Sequence, residues 1–145
     1  MSTPLLRLAR LLFLGVALLG LAGCVGTPSD TSDVNGGAPL VKSSQNGLIN
    51  VTVTLDAPKL ARGENDFSIA LSSTEDASAE APVLVSAVAT MPAHGHSVTA
   101  DAIALDGSTY HVNGLNFFMG GVWQIELGLE LGNRSDSVQF SLDVP

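Results

Sequence analysis

Two stretches near the end of the chain, WQIELGLEL and SVQFSLDV, alternate apolar and polar residues with a period of two. In the first, Trp123, Ile125, Leu127, Leu129 and Leu131 fall on one side, and Gln124, Glu126, Gly128 and Glu130 on the other. In the second, Val138, Phe140, Leu142 and Val144 fall together. Successive side chains of a strand point to opposite faces, so this pattern buries one face of a sheet and wets the other. The intervening GNRS reads as a hairpin turn, and the two strands are expected to pair antiparallel.

The same period runs upstream. INVTVTL places Ile49, Val51, Val53 and Leu55 on one face, and DFSIALS does so with Phe67, Ile69 and Leu71, while DAPKLARGEN between them supplies turn residues. PVLVSAVATM is apolar on both faces for part of its length, which predicts a central strand covered on both sides. Asp106-Gly107, between ADAIAL and STYHV, suits the left-handed dihedrals of a two-residue hairpin loop. About seven antiparallel strands at spacings of about ten residues, with no helical period among them, predict an all-β domain over residues 47–145, an immunoglobulin-like β-sandwich.

What precedes this domain has a different character. MSTPLLRLAR carries Arg7 and Arg10 and no acid, and an apolar run of roughly a dozen residues follows, ending at the single cysteine. A spanning helix needs about 20 apolar residues, so the run reads as a secretory signal over residues 1–23. Leu21-Ala22-Gly23-Cys24 resembles the lipobox of bacterial lipoproteins, which implies that Cys24 is acylated and begins the mature chain. The other reading is an uncleaved anchor with an incidental cysteine. Several acyl chains on one residue hold durably, because each buried methylene adds about 0.8 kcal/mol. Val25 stands where an aspartate would favour retention in an inner membrane, which points to the outer membrane, facing the periplasm, in a cell that has two. Residues 24–46, rich in Ser, Thr, Asp, Gly and Pro, read as the lipidated cysteine and a flexible tether with a reach of about 25 Å.

Charge excludes some partners. After the signal, Lys42, Lys59, Arg62 and Arg134 stand against all fourteen acids, 4 − 14 = −10. Tracking a phosphate backbone needs a clustered basic face, so nucleic acid is excluded, and the membrane is met through the lipid alone. With Cys24 lipidated, no thiol remains for a disulfide, a thiolate metal site or a nucleophile. No G-x-S-x-G elbow, phosphate-cradling glycine loop, H-E-x-x-H or calcium-loop spacing is present, and the expectation is a protein that is not an enzyme.

One local cluster stands out. All three histidines, His94, His96 and His111, and both methionines after the initiator, Met91 and Met119, fall between positions 91 and 119. Thioether and imidazole together select copper, Cu(I) above all. His94 and His96 are separated only by Gly95 and can converge on one ion, with Met91 at the start of the loop and Met119 or His111 arriving from a neighbouring strand. The competing reading is a polar turn in MPAHGH, Pro92 fixing the chain and Gly95 supplying a positive φ. Alternation turns His111 outward, since Tyr110 and Val112 face in, and makes Met119 a core residue in phase with Leu115 and Phe117; Met91 reads as core as well. Trp123 reads as the large anchor of the core, and Gly120-Gly121 as a bulge or sharp entry to its strand.

MPAHGH, the DG hairpin, the segment Phe118-Met119-Gly120-Gly121-x-Trp123 and the closing alternating hairpin together resemble the YtkA-like domain family, with a looser similarity to FixH-type proteins. The resemblance covers Val83 to Val144 and extends back to Gly47. It implies a small extracytoplasmic domain, frequently a lipoprotein, without an established enzymatic activity and with some relatives tied to copper handling or oxidase assembly. Ala93 stands where family members often carry a further methionine, which removes one soft ligand. The expected function is a lipid-anchored accessory or binding module of the bacterial cell envelope, taking copper through His94 and His96 with Met91, or else a metal-free module working through protein contacts.

Overall fold

A computed structural model describes residues 38–75 and 80–145. The signal over 1–23, Cys24 and the tether as far as residue 37 lie outside the described residues. Nine strands follow in order: β1 Leu40–Ser43, β2 Ile49–Leu55, β3 Gly63–Ser73, β4 Val83–Met91, β5 His96–Thr99, β6 Asp101–Asp106, β7 Thr109–Phe117, β8 Gly121–Leu131 and β9 Arg134–Val144. They form a five-stranded sheet, β1-β2-β3-β7-β6, and a four-stranded sheet, β5-β4-β8-β9, antiparallel at every pairing. Among the described residues no helix is long and apolar enough to cross a membrane.

The two sheets pack their apolar faces together. Ile49, Val51, Val53 and Leu55 of β2, Phe67, Ile69 and Leu71 of β3, and the alternating residues of β8 and β9 are all buried, as their period requires. Trp123 and Phe117 are fully buried, their ring centroids 5.2 Å apart, and Phe67 meets Phe117 edge-on at 6.5 Å. A small apolar void of about 10 Å³ lies between Phe67, Val112, Ile125 and Phe140.

Two of the nine strands fall outside the seven read from the sequence. β5 is four residues long and shows too little alternation to be seen. β1 lies inside residues 24–46, the stretch read as the lipidated cysteine and tether. Its register, Leu40 against Val53 and Ser43 against Asn50, is set by hydrogen bonding to β2 and not by an apolar period of its own. The turn after β1 then crosses to the other sheet, where Gln45 N donates to Ser137 O at 2.8 Å and Asn46 N to Asp136 Oδ1 at 3.1 Å.

Two further expectations are corrected. β4 does lie inside its sheet, between β5 and β8, but its outer face is open, with Val85 56 % exposed. Its apolar outer residues therefore do not signal a covering layer. In the β6–β7 hairpin, Asp106 pairs with Thr109, so Gly107 and Ser108 form the loop and Asp106 closes the strand. A register shift between Ala104 and Asp106 moves the turn by one residue.

β5 and β6 are separated only by Ala100, whose N–H donates to Ala87 O at 3.0 Å. The chain thus steps from one sheet to the other within a single residue and closes that side of the sandwich. At the opposite end of the β8–β9 ladder, the Arg134 guanidinium grips both oxygens of Glu75 at 2.7 and 2.8 Å. That fork holds the exposed Glu75 carboxyl below its ordinary pKa.

Candidate functional site

The β4–β5 hairpin ends in the turn that carries the histidines. His94 N and Gly95 N both donate to Met91 O, at 3.1 and 2.9 Å, and Gly95 takes φ 67°, a left-handed conformation that glycine adopts without strain. MPAHGH is therefore the polar turn of the competing reading, whatever else it does. Met91 pairs with His96 across the ladder, so both side chains start from the core-facing side of the sheet. Met91 continues inward and is buried; a Cβ on Gly121 would stand 2.9 Å from its Cε, so the missing side chain of Gly121 is the space that Met91 fills. His96 sits at the edge of the same face, beyond the end of the core, and is exposed.

Rings continue from there into the core. The His94 and His96 rings lie nearly parallel with centroids 6.3 Å apart. His96 meets Phe118 edge-on at 5.1 Å, and Phe118 meets Trp123 edge-on at 5.4 Å. Such edge-to-face pairs add about 0.5–1.5 kcal/mol beyond area burial. Trp123 Nε1 donates to Met119 O at 3.0 Å, which fixes the loop between β7 and β8 and holds Met119 half-buried against the core. Phe118, 49 % exposed, then covers the open end of the sandwich as an outward-facing lid on Trp123.

The five candidate ligands thus separate. His94 and His96 come together at one end of the molecule. Met91 is buried in the core and Met119 is half-buried against it. His111 is elsewhere: on β7 it faces outward from the five-stranded sheet, opposite Ser68 and Ile103, with Nδ1 3.0 Å from Asp56 Oδ2. Ser68 Oγ donates to the other Asp56 oxygen at 2.7 Å and completes that surface network. Among the described residues, no group of three or more His, Cys, Asp or Glu side chains is placed to hold one ion. Copper would rest on two imidazoles and whatever the thioethers can add.

Sequence reasoning gave Phe118 a place only in the family-like segment, with no role at the site, and passed over Asp136. Phe118 had a signal: with Phe117 facing in, its neighbour must face out, and an outward phenylalanine before two glycines needs a neighbour to cover it. Asp136 had none, because its partners come from the other sheet. Burial of the carboxyl pushes its pKa up, but Ser44 and the amides of Asn46, Ser137 and Leu48 together outweigh that and hold it below its ordinary value. The two well-formed bonds go to Oδ1, from Asn46 N and from Ser137 N at 2.8 Å, whereas Oδ2 makes no bond of good geometry among the described residues.

No protein-family model and no curated protein matches this sequence. Among solved structures, the chain is similar to a DUF4785 family protein from Legionella pneumophila subsp. pneumophila str. Philadelphia 1, at 16 % identity and a TM-score of 0.47, over 67 % of this chain and 28 % of that one. The matched region is thus a minor part of that protein's length.

Proposed function

We propose that this chain is a lipid-anchored, non-enzymatic module of the bacterial cell envelope that works by binding another protein, on an immunoglobulin-like sandwich held at the membrane by acylated Cys24. Residues 25–39 then separate the lipid from β1. One observation carries the reading. β6 is an edge strand with all six side chains exposed, among them Ile103 at 51 % and Leu105 at 60 %, although the core behind it is complete without them. An edge presents backbone donors and acceptors that a further strand can pair with, and β6 carries no lysine or proline along it, its one irregularity being the register shift between Ala104 and Asp106.

The experiment is site-specific photo-crosslinking in intact cells, with a photoreactive amino acid placed in turn at Val41, Ile103, Phe118, Val122 and Gln139. The reading expects one envelope protein captured reproducibly from a subset of these positions. Capture from none of them would refute it. Labelled palmitate must also enter the chain and be lost from a Cys24→Ser variant.

The near-parallel pair His94 and His96, exposed on one hairpin turn with centroids 6.3 Å apart, favours a second reading, in which this end of the domain takes copper. Titration with Cu(I) under reducing conditions against a competing chelator decides it. An affinity equal to that of the His94→Ala, His96→Ala double variant ends the copper reading.

A further inference from the structure

We infer that β6 docks an extended, basic strand of the partner polypeptide, adding it to the five-stranded sheet; the inference rests on the protein-binding reading above. Among the described residues four strands stand at sheet edges, and they differ. β1 and β5 are only four residues long. β9 is long, but Gln45 N bonds Ser137 O on its flank and Arg62 Nε bonds Pro145 O at its end, at 2.8 Å each. Among the described residues, β6 pairs with β7 on one side only and holds its apolar side chains outside the core.

Charge selects the occupant. β6 begins at Asp101 and ends at Asp106, about 17 Å apart at strand rise. Asp66 lies near the Asp101 end, its Oδ1 3.4 Å from the amide of Gly114 in β7, one residue past the Asn113 that pairs with Asp101. No lysine or arginine stands between Gly63 and Asn133, so strands β3 to β8 carry none. His111, opposite Ile103 on this face, has Nδ1 3.0 Å from Asp56 Oδ2. A second copy of this chain is a poor occupant, because symmetric antiparallel pairing of two β6 strands sets Asp101 of each against Asp106 of the other. Like charges directly opposed across a ladder are destabilising. A strand with lysine or arginine at both ends and apolar residues between answers all of these features, the ladder giving affinity and the flanking charges giving register.

The test uses the full lipidated chain in neutral detergent micelles and two fluorescein-labelled nonapeptides of alternating valine and threonine, one with lysine at both ends, the other with glutamate. Fluorescence anisotropy is read at about 20 mM and about 300 mM salt. The lysine peptide is expected to bind, more weakly at the higher salt, and to slow hydrogen exchange at amides 101–106. The glutamate peptide is expected to bind at least about tenfold more weakly, and an I103K/L105K variant to lose at least about tenfold toward the lysine peptide. A control variant, E126K/E130K on the outer face of β8, is expected to stay within about twofold of the parent. The inference is overturned if the lysine peptide does not bind, if both peptides bind alike, or if the control variant loses as much as I103K/L105K. The peptide comparison on the unaltered chain needs no variant to fold. Should photo-crosslinking capture a partner through Gln139 or Val41 while β6 takes neither peptide, the protein-binding reading survives and this inference does not.

Discussion

Replacing Asp136 by alanine removes the side chain that ties β9 to the turn after β1. Two amides lose their acceptor, Asn46 N at 3.1 Å and Ser137 N at 2.8 Å. Hydrogen bonds to a charged group contribute about 1.5–3 kcal/mol each, so two at the low end come to about 3 kcal/mol. The carboxylate is only 7 % exposed and Oδ2 has no well-formed bond among the described residues, so removing it also relieves a burial cost of about 1 kcal/mol. The expected loss at pH 7 is about 2 kcal/mol, a fall in Tm of about 10 °C for a domain of this size. The carboxyl is held below its ordinary value in the folded state, so its contribution is present above the unfolded pKa of about 3.9 and fades as pH falls through the lower folded value. Urea unfolding of residues 38–145, followed by the fluorescence of the single, buried Trp123, measures this at pH 7 and again at about pH 2. The gap between parent and variant should be largest at pH 7 and shrink in acid. A difference under about 0.5 kcal/mol at pH 7, or one of equal size at both pH values, would refute the reasoning.

Starting the soluble domain at residue 47 deletes β1 together with Ser44, Gln45 and Asn46, and should cost about 3 kcal/mol or more relative to a start at residue 38, read as a lower urea midpoint; equal midpoints would mean that β1 adds nothing. Trp123→Phe keeps a ring in the core but removes the donor to Met119 O, and should destabilise by about 2–3 kcal/mol in calorimetry. Gly121→Ala places a Cβ 2.9 Å from Met91 Cε at φ 120°, a backbone region that L side chains rarely adopt, and should cost about 1–3 kcal/mol. Pairing it with Met91→Ala should recover the steric part of that loss and leave the backbone part, which a double-mutant cycle separates.

How much was legible in the sequence can be followed residue by residue. The inward sets of β2, β3, β8 and β9 were visible because alternation is local: each side chain's face is set by its neighbours one and two positions away. The same logic placed Tyr110 and Val112 inside and His111 outside, and marked Trp123 as a core residue. The turn at His94 and Gly95 was readable from proline and glycine chemistry within four positions. At the candidate site, the sequence brought five possible ligands into a span of 29 residues, from Met91 to Met119, but nearness along the chain is not nearness in space.

Tertiary structure decided the rest, because it depends on hydrogen bonds and packing between residues far apart in the chain. It made a strand of Leu40–Ser43, which has no apolar period, by pairing it with β2, and it buried Asp136 by bringing Asn46 from ninety positions away. It left the outer face of β4 in water although its residues are apolar, and it sent the chain across the sandwich at Ala100, which exposed β6 at an edge. It also divided the histidines, stacking His94 beside His96 and pairing His111 with Asp56 on the other sheet. Local alternation says which way a side chain points; only the pairing of distant strands says what it points at.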